Sequence, residues 1–106
     1  MQKADGSEDA QDDLFRAVLA LETMEECRRF FLDLATPSEL NALAERWHVA
    51  QLLDDGELSY REIHEQTGVS TTTITRVARF LGHEPNRGYR LVLDRLKKNR
   101  GARRGR

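Results

Sequence analysis

The thirteen residues from Ser70 to Gly82 hold the chain's densest functional chemistry: Ser70-Thr71-Thr72-Thr73, then Thr75-Arg76 and Arg79, with no acid among them. Covalent catalysis needs a nucleophile beside a base, and this run supplies none. It suits a nucleic acid instead. Hydroxyls donate to phosphate oxygens and base edges, threonine methyls touch thymine methyls, and arginine grips phosphate or guanine. Threonine is a poor helix former, so three in succession at a helix start point to a surface task. Arg61 and His64, one short segment earlier, add a cation and an imidazole to the same neighbourhood.

The other reactive side chains point nowhere as definite. Cys27 is the only cysteine, which excludes an internal disulfide and a cysteine zinc cluster. It stands near Phe30 and Phe31 and reads as a structural thiol. His48, His64 and His83 share no metal-ligand spacing with one another or with Cys27, so neither a metal nor another cofactor is expected. No Ser-His-Asp order, phosphate-cradling glycine loop or paired-carboxylate pocket stands out, and an enzyme is not expected. Trp47 reads as core or interface.

The elements that must position the threonines are marked by helix caps. Thr23-Met24-Glu25-Glu26, Thr36-Pro37-Ser38-Glu39 and Ser59-Tyr60-Arg61-Glu62 each fit a capping box, and Pro37 sits at a first helical position. Gly56 and Gly68 are natural left-handed helix ends. Helical periodicity starts at Leu14, Phe15, Val18 and Leu19, and continues with Cys27, Phe30, Phe31 and Leu34 facing inward. A long middle helix runs to about Asp54, apolar on two stripes. Leu40, Leu43, Ala44, Trp47 and Ala50 line one; Val49, Leu52 and Leu53 line the other. A helix apolar on two sides is covered on two sides, here by a partner subunit or by two neighbours in the same chain.

Two short helices, Ser59–Thr67 and Thr71–Leu81, flank Gly68-Val69-Ser70, the layout of a helix-turn-helix. Ile74, Val77, Ala78 and Leu81 give the second helix an inward stripe, which turns its threonines outward. A last helix carries Tyr89, Val92, Leu93 and Leu96. Nothing alternates with period two, so the class is all-α with six helices.

The formal net charge of −1 conceals a polarity. Residues 1–45 hold eleven acids against four bases, and residues 46–106 hold thirteen bases against seven acids. A basic half of this kind calls for a polyanion. The organisation expected is a disordered acidic segment over 1–11, a helical domain over 12–97 and a flexible basic tail over 98–106, the tail being an arm for phosphates or a solubilising end. No segment approaches the roughly 18 apolar residues of a membrane span, and the acidic start is unlike a secretory signal. A cytoplasmic home is expected.

From Thr36 to Leu96 the chain resembles the tryptophan repressor family. The matching pieces are Thr36-Pro37-Ser38-Glu39, Ala42-Leu43, Arg46, Gly56-Glu57-Leu58-Ser59, Arg61-Glu62, Gly68 and above all Thr73-Ile74-Thr75-Arg76. Leu14-Phe15, Glu25-Glu26-Cys27, Arg29-Phe30-Phe31 and Asp33-Leu34 are more similar to its YerC/YecD-type, Trp-repressor-like branch. The resemblance covers roughly residues 12–97. It implies an intertwined homodimer that binds palindromic double-stranded DNA as a transcriptional regulator, a repressor by family. The residues matching its DNA contacts are Arg61, His64, Thr71, Thr72, Thr73 and Thr75, with Arg76 beside them.

In that family tryptophan lies between two arginines, and Arg46 and Arg76 match them. The family's glycine after the second arginine is Val77 here, and the serine that helps hold the ligand's amino group is Phe80. Both departures add apolar volume and one removes a polar partner, which penalises an ammonium. The expectation is a pocket filled from within, with Phe80 stacked on Arg76, and a regulator that does not respond to tryptophan. Two alternatives stay open: a helix-turn-helix module that binds protein, and a regulator that requires an unknown effector.

Overall fold

Six helices and no strand account for the described residues: α1 (Gly6–Leu19), α2 (Met24–Leu34), α3 (Pro37–Asp55), α4 (Tyr60–Thr67), α5 (Thr71–Gly82) and α6 (Gly88–Arg104). The computed structural model describes residues 6–82 and 85–104. Among them no helix is long and apolar enough to cross a membrane.

The caps form where the sequence places them, because each is a local bond between residues three apart. Thr36 accepts the Glu39 amide at 3.1 Å while the Glu39 carboxylate takes the Thr36 amide at 2.8 Å. Ser59 and Glu62 make the same reciprocal pair. The third box differs. Thr23 accepts the Glu26 amide, but the Glu26 carboxylate passes over Thr23 and takes the amide of Glu22 at 2.8 Å. Gly56 and Gly68 end their helices at φ +74° and +77°, a backbone region that β-carbons disfavour.

Both expected termini need correction. Helix α1 begins at Gly6, so residues 6–11 are helical and not disordered. A helix end needs no apolar stripe: Glu8 and Asp9 lie in the first turn, where carboxylates complement the helix dipole. Helix α6 continues to Arg104, so residues 98–104 are not a flexible tail. Lysine, arginine and alanine are good helix formers, and cations suit a helix C-terminus. Residues 1–5 and 105–106 lie outside the described residues.

The chain divides into two compact units, Met1–Leu40 and Asn41–Arg106. In the first, no residue from 6 to 40 is buried. Cys27, Phe30 and Phe31 are half-buried, the two rings meeting edge to face at 5.6 Å. Leu34 is 51% exposed, against its expected inward position, and Phe15 and Leu19 are 57% and 83% exposed. The periodicity is present, yet these side chains stand exposed.

The second unit has a true core. Val49 and Ala50 of α3, Ile63 of α4, Val69 of the turn, and Ile74 and Val77 of α5 are buried together. Trp47, Leu52, Leu53, Leu58 and Tyr89 pack against them. Each stripe of α3 has one sealed residue, Ala50 on the first and Val49 on the second, while Leu43 on the first is 48% exposed. Leu93 is the buried residue of α6. Asp54 ties α6 to α3. Its carboxylate meets Arg90 at 2.9 Å and Lys97 at 2.5 Å, and Arg90 also reaches Asp94 at 2.9 Å. The bonds from Arg90 and then Lys97 hold the Asp54 carboxyl below the ordinary carboxylate range, against the opposing effect of burial. Its bonds to Asp54 and then Asp94 raise Arg90 further above its already high value.

Candidate nucleic-acid interface

The turn between α4 and α5 is built from hydroxyls and an imidazole. Gly68 closes α4 through its amide to the His64 carbonyl at 2.9 Å. Thr67 donates its hydroxyl to the Ile63 carbonyl at 2.7 Å and accepts the Val69 amide at 3.1 Å. Val69 is thereby carried into the core, 5% exposed. His64 lies with Nδ1 2.7 Å from the Val69 carbonyl. A carbonyl only accepts, so Nδ1 carries the proton and Nε2 is left for another partner. Polar side chains at positions 64 and 67 thus fasten the turn from inside the motif.

Helix α5 splits along its length. Ile74 and Val77 are buried, and Ala78 and Leu81 are half-buried, as the inward stripe requires. Thr71, Thr72, Thr75, Arg76 and Arg79 are exposed and line one shallow surface depression. Thr72, Thr75, Arg76 and Arg79 stand at i, i+3, i+4 and i+7, one face of a helix. The helix N-terminus lies at its upper end, with amides suited to an anion. Ser70 caps it by accepting the Thr73 amide at 3.1 Å.

The structure thus gathers three of the four expected threonines and sets the fourth apart. Thr73 is half-buried, and its hydroxyl accepts that of Ser70 at 3.1 Å inside the cap. Arg61 is exposed on α4, with Nε 3.4 Å from Glu65. An exposed pair of that length is worth well under 1 kcal/mol, so it leaves the guanidinium available to a phosphate. Arg79, outside the residues that the family resemblance marks, belongs to the face through helix periodicity alone.

Arg46, Arg76, Val77 and Phe80 do come together, and the stack forms: the Arg76 guanidinium lies 4.6 Å from the Phe80 ring centre. It does not fill the space. An open cavity of about 530 Å³ remains, closed on its other side by Trp47, Asn86, Arg87, Gly88, Tyr89 and Val92. Trp47 and Tyr89 stack at 6.4 Å along one wall. Among the described residues, three guanidiniums and no carboxylate line the cavity. Arg76 lines both this cavity and the threonine depression. Among the described residues no group of three or more His, Cys, Asp or Glu is placed to hold a metal.

Comparison with known proteins covers both units. The family model for the Trp repressor protein matches residues 9–97. The uncharacterized protein YerC of Bacillus subtilis (strain 168) is 46% identical over 86 residues, 81% of each chain. A TrpR-like protein from Eubacterium eligens ATCC 27750, known from its crystal structure, matches with a TM-score of 0.77 and 39% identity over 84% of this chain and 90% of that one. A candidate Trp repressor from Staphylococcus aureus matches at 0.76 and 40%, over 84% and 87%.

Proposed function

The chain belongs to the Trp repressor protein family, and from that premise we propose that it is a cytoplasmic, sequence-specific transcriptional regulator that binds palindromic double-stranded DNA as a homodimer. The observation that carries this reading is the single face of α5 on which Thr71, Thr72, Thr75, Arg76 and Arg79 meet. Placed in a major groove, such a face offers hydroxyls and methyls to base edges and guanidiniums to phosphates. Arg61 adds a backbone contact from α4, where Nε2 of His64 offers an acceptor.

Homodimerisation is supported by residues 6–40, whose apolar side chains are uncovered in the single chain. Phe15, Leu19, Met24 and Leu34 are each more than half exposed, and exposed large apolar side chains mark surfaces that take a partner. Two-fold symmetry then places two copies of α5 about 34 Å apart, one turn of DNA.

The cavity beside Arg76 favours a regulator that does not respond to tryptophan. An amino acid brings an ammonium, and among the described residues this cavity meets it with Arg46, Arg76 and Arg87 and no carboxylate. Repulsion adds to the cost of desolvating it. Nothing in this reading requires catalysis or a cofactor.

The test is selection from a randomised duplex pool at physiological salt without added ligand. A palindromic consensus is expected. A pool retained without consensus removes the sequence-reading function. No retention, with or without pooled amino acids, removes DNA binding and turns the α5 face toward a protein partner. Calorimetric titration with L-tryptophan checks the effector statement, and micromolar binding overturns it.

A further inference from the structure

Helix α6 continues past its last described anchoring contact. Its first ten residues are anchored through Tyr89, Leu93 and the two cations on Asp54. Lys97 makes the furthest of these contacts. Lys98, Asn99 and Arg100 are exposed, and the helix continues to Arg104. Seven residues beyond Lys97 amount to about 10 Å of helix. The family match ends at residue 97, before these residues.

The projection is all one sign. From Arg95 to Arg104 there are six bases and no acid. Its cations recur at helical neighbour spacings: Lys97 and Arg100, Arg100 and Arg103, Arg100 and Arg104. Like charges three and four apart oppose a helix, and Gly101 costs about 1 kcal/mol relative to alanine. The favourable end of the helix dipole offsets only part of this, about 0.3–1 kcal/mol. A helix so composed is completed by a dense array of negative charge. A protein partner would call for aromatic or large apolar anchors, and after Leu96 the only apolar side chain is Ala102. Duplex DNA, with one charge per roughly 1.7 Å of axis, supplies what the composition lacks.

We propose that residues 98–104 form a helical phosphate-binding arm, which lies along double-stranded DNA outside the bases read by α5 and adds affinity without sequence preference. The proposal rests on the DNA-binding reading above and assigns it a second contact surface. The acidic α1 of a second copy is the competing occupant, and the experiment separates the two.

Duplex affinity is measured from 50 to 300 mM salt for the full chain, for a chain ending at Lys98, and for an R100Q/R103Q/R104Q variant. Each is tested on the duplex that the full chain selects and on a random duplex of equal length. Each phosphate that is no longer neutralised flattens the slope of log affinity against log salt by about 0.9, so the triple variant is expected to lose up to about 2.7 per chain. Binding weakens about tenfold or more on both duplexes, with their ratio unchanged, while R100K/R103K/R104K keeps the full slope. An unchanged slope, a loss confined to the selected duplex, or a truncated chain that sediments at lower mass overturns the arm. Failure of the full chain to bind any duplex would remove the DNA reading itself, which is a different result from an unchanged slope. Thermal melting of each variant confirms that the anchored part of α6 is intact.

Discussion

Residues 6–40 and residues 41–104 are written in the same amphipathic language and reach opposite ends. The second set buries Val49, Ala50, Ile63, Val69, Ile74, Val77 and Leu93 within one chain. The first set, with Phe15, Leu19, Met24, Leu32 and Leu34 in a shorter stretch, buries none. At about 25 cal/mol per Å² an uncovered leucine or phenylalanine forgoes roughly 2 kcal/mol. The helix-turn-helix therefore has a core of its own, and the N-terminal helices leave their apolar side chains exposed. Apolar periodicity predicts that a face will be covered; it does not say by which chain.

The comparison breaks hardest in the core. Ile74→Ala removes a fully buried side chain where α3, α4 and α5 meet, and a loss of about 4 kcal/mol is expected by urea denaturation. That loss should be independent of protein concentration when measured at saturating dimer. Leu19→Ser tests the other region. In an isolated chain an 83% exposed leucine matters little, within about 0.5 kcal/mol. With a second copy over it, the same change should weaken self-association tenfold or more, read by sedimentation equilibrium, and make the melting temperature concentration-dependent. A concentration-independent melt for both proteins would show that residues 6–40 need no partner.

The caps at Thr36, Ser59 and Ser70 and the glycine ends at 56 and 68 were legible in the sequence because each is fixed within three or four residues. The inward stripe of α5 was legible for the same reason. What escaped lay in three places. The ends of α1 and α6 are charged helices with no apolar stripe to mark them. His64 and Thr67 belong to no capping box, yet the left-handed turn at Gly68 brings the Val69 carbonyl back onto the imidazole. The only available signal was two polar residues preceding a C-cap glycine. The cavity beside Arg76 depends on the spacing of three helices, which no local pattern encodes.

A smaller effect is expected at Asp54, within the region that has a core of its own. Its carboxyl is held below the ordinary range by Arg90 and Lys97, so its contribution is present at neutral pH. It is lost as pH falls through the depressed folded value, below about pH 4. Asp54→Asn should cost about 2 kcal/mol at pH 7. The difference from the parent should shrink toward zero in stronger acid, and acid titration of unfolding by circular dichroism checks it. Arg90 stays charged throughout that window. A constant difference across the pH range would mean that packing, and not the ion cluster, joins α6 to α3.

The sharpest use of the comparison lies within α5 itself, between side chains that hold the helix and side chains that face outward. Thr75→Ala should leave the melting temperature within a degree or two, cost about 1–3 kcal/mol of DNA binding and relax one position of the selected site. Ser70→Ala should do the reverse. It removes the acceptor of the Thr73 amide and the partner of the Thr73 hydroxyl, at a cost of about 1 kcal/mol of stability. The loss stays small because the cap is exposed and water replaces part of it. Thr73→Val should then cost less in the Ser70→Ala background than alone, since its hydroxyl has already lost its partner; a double-mutant cycle by thermal melting reads that coupling. Neither change should alter the consensus sequence selected from a random pool. A shifted consensus for Thr73→Val would place Thr73 among the residues that read bases and would move the line between capping and reading one residue toward the helix interior.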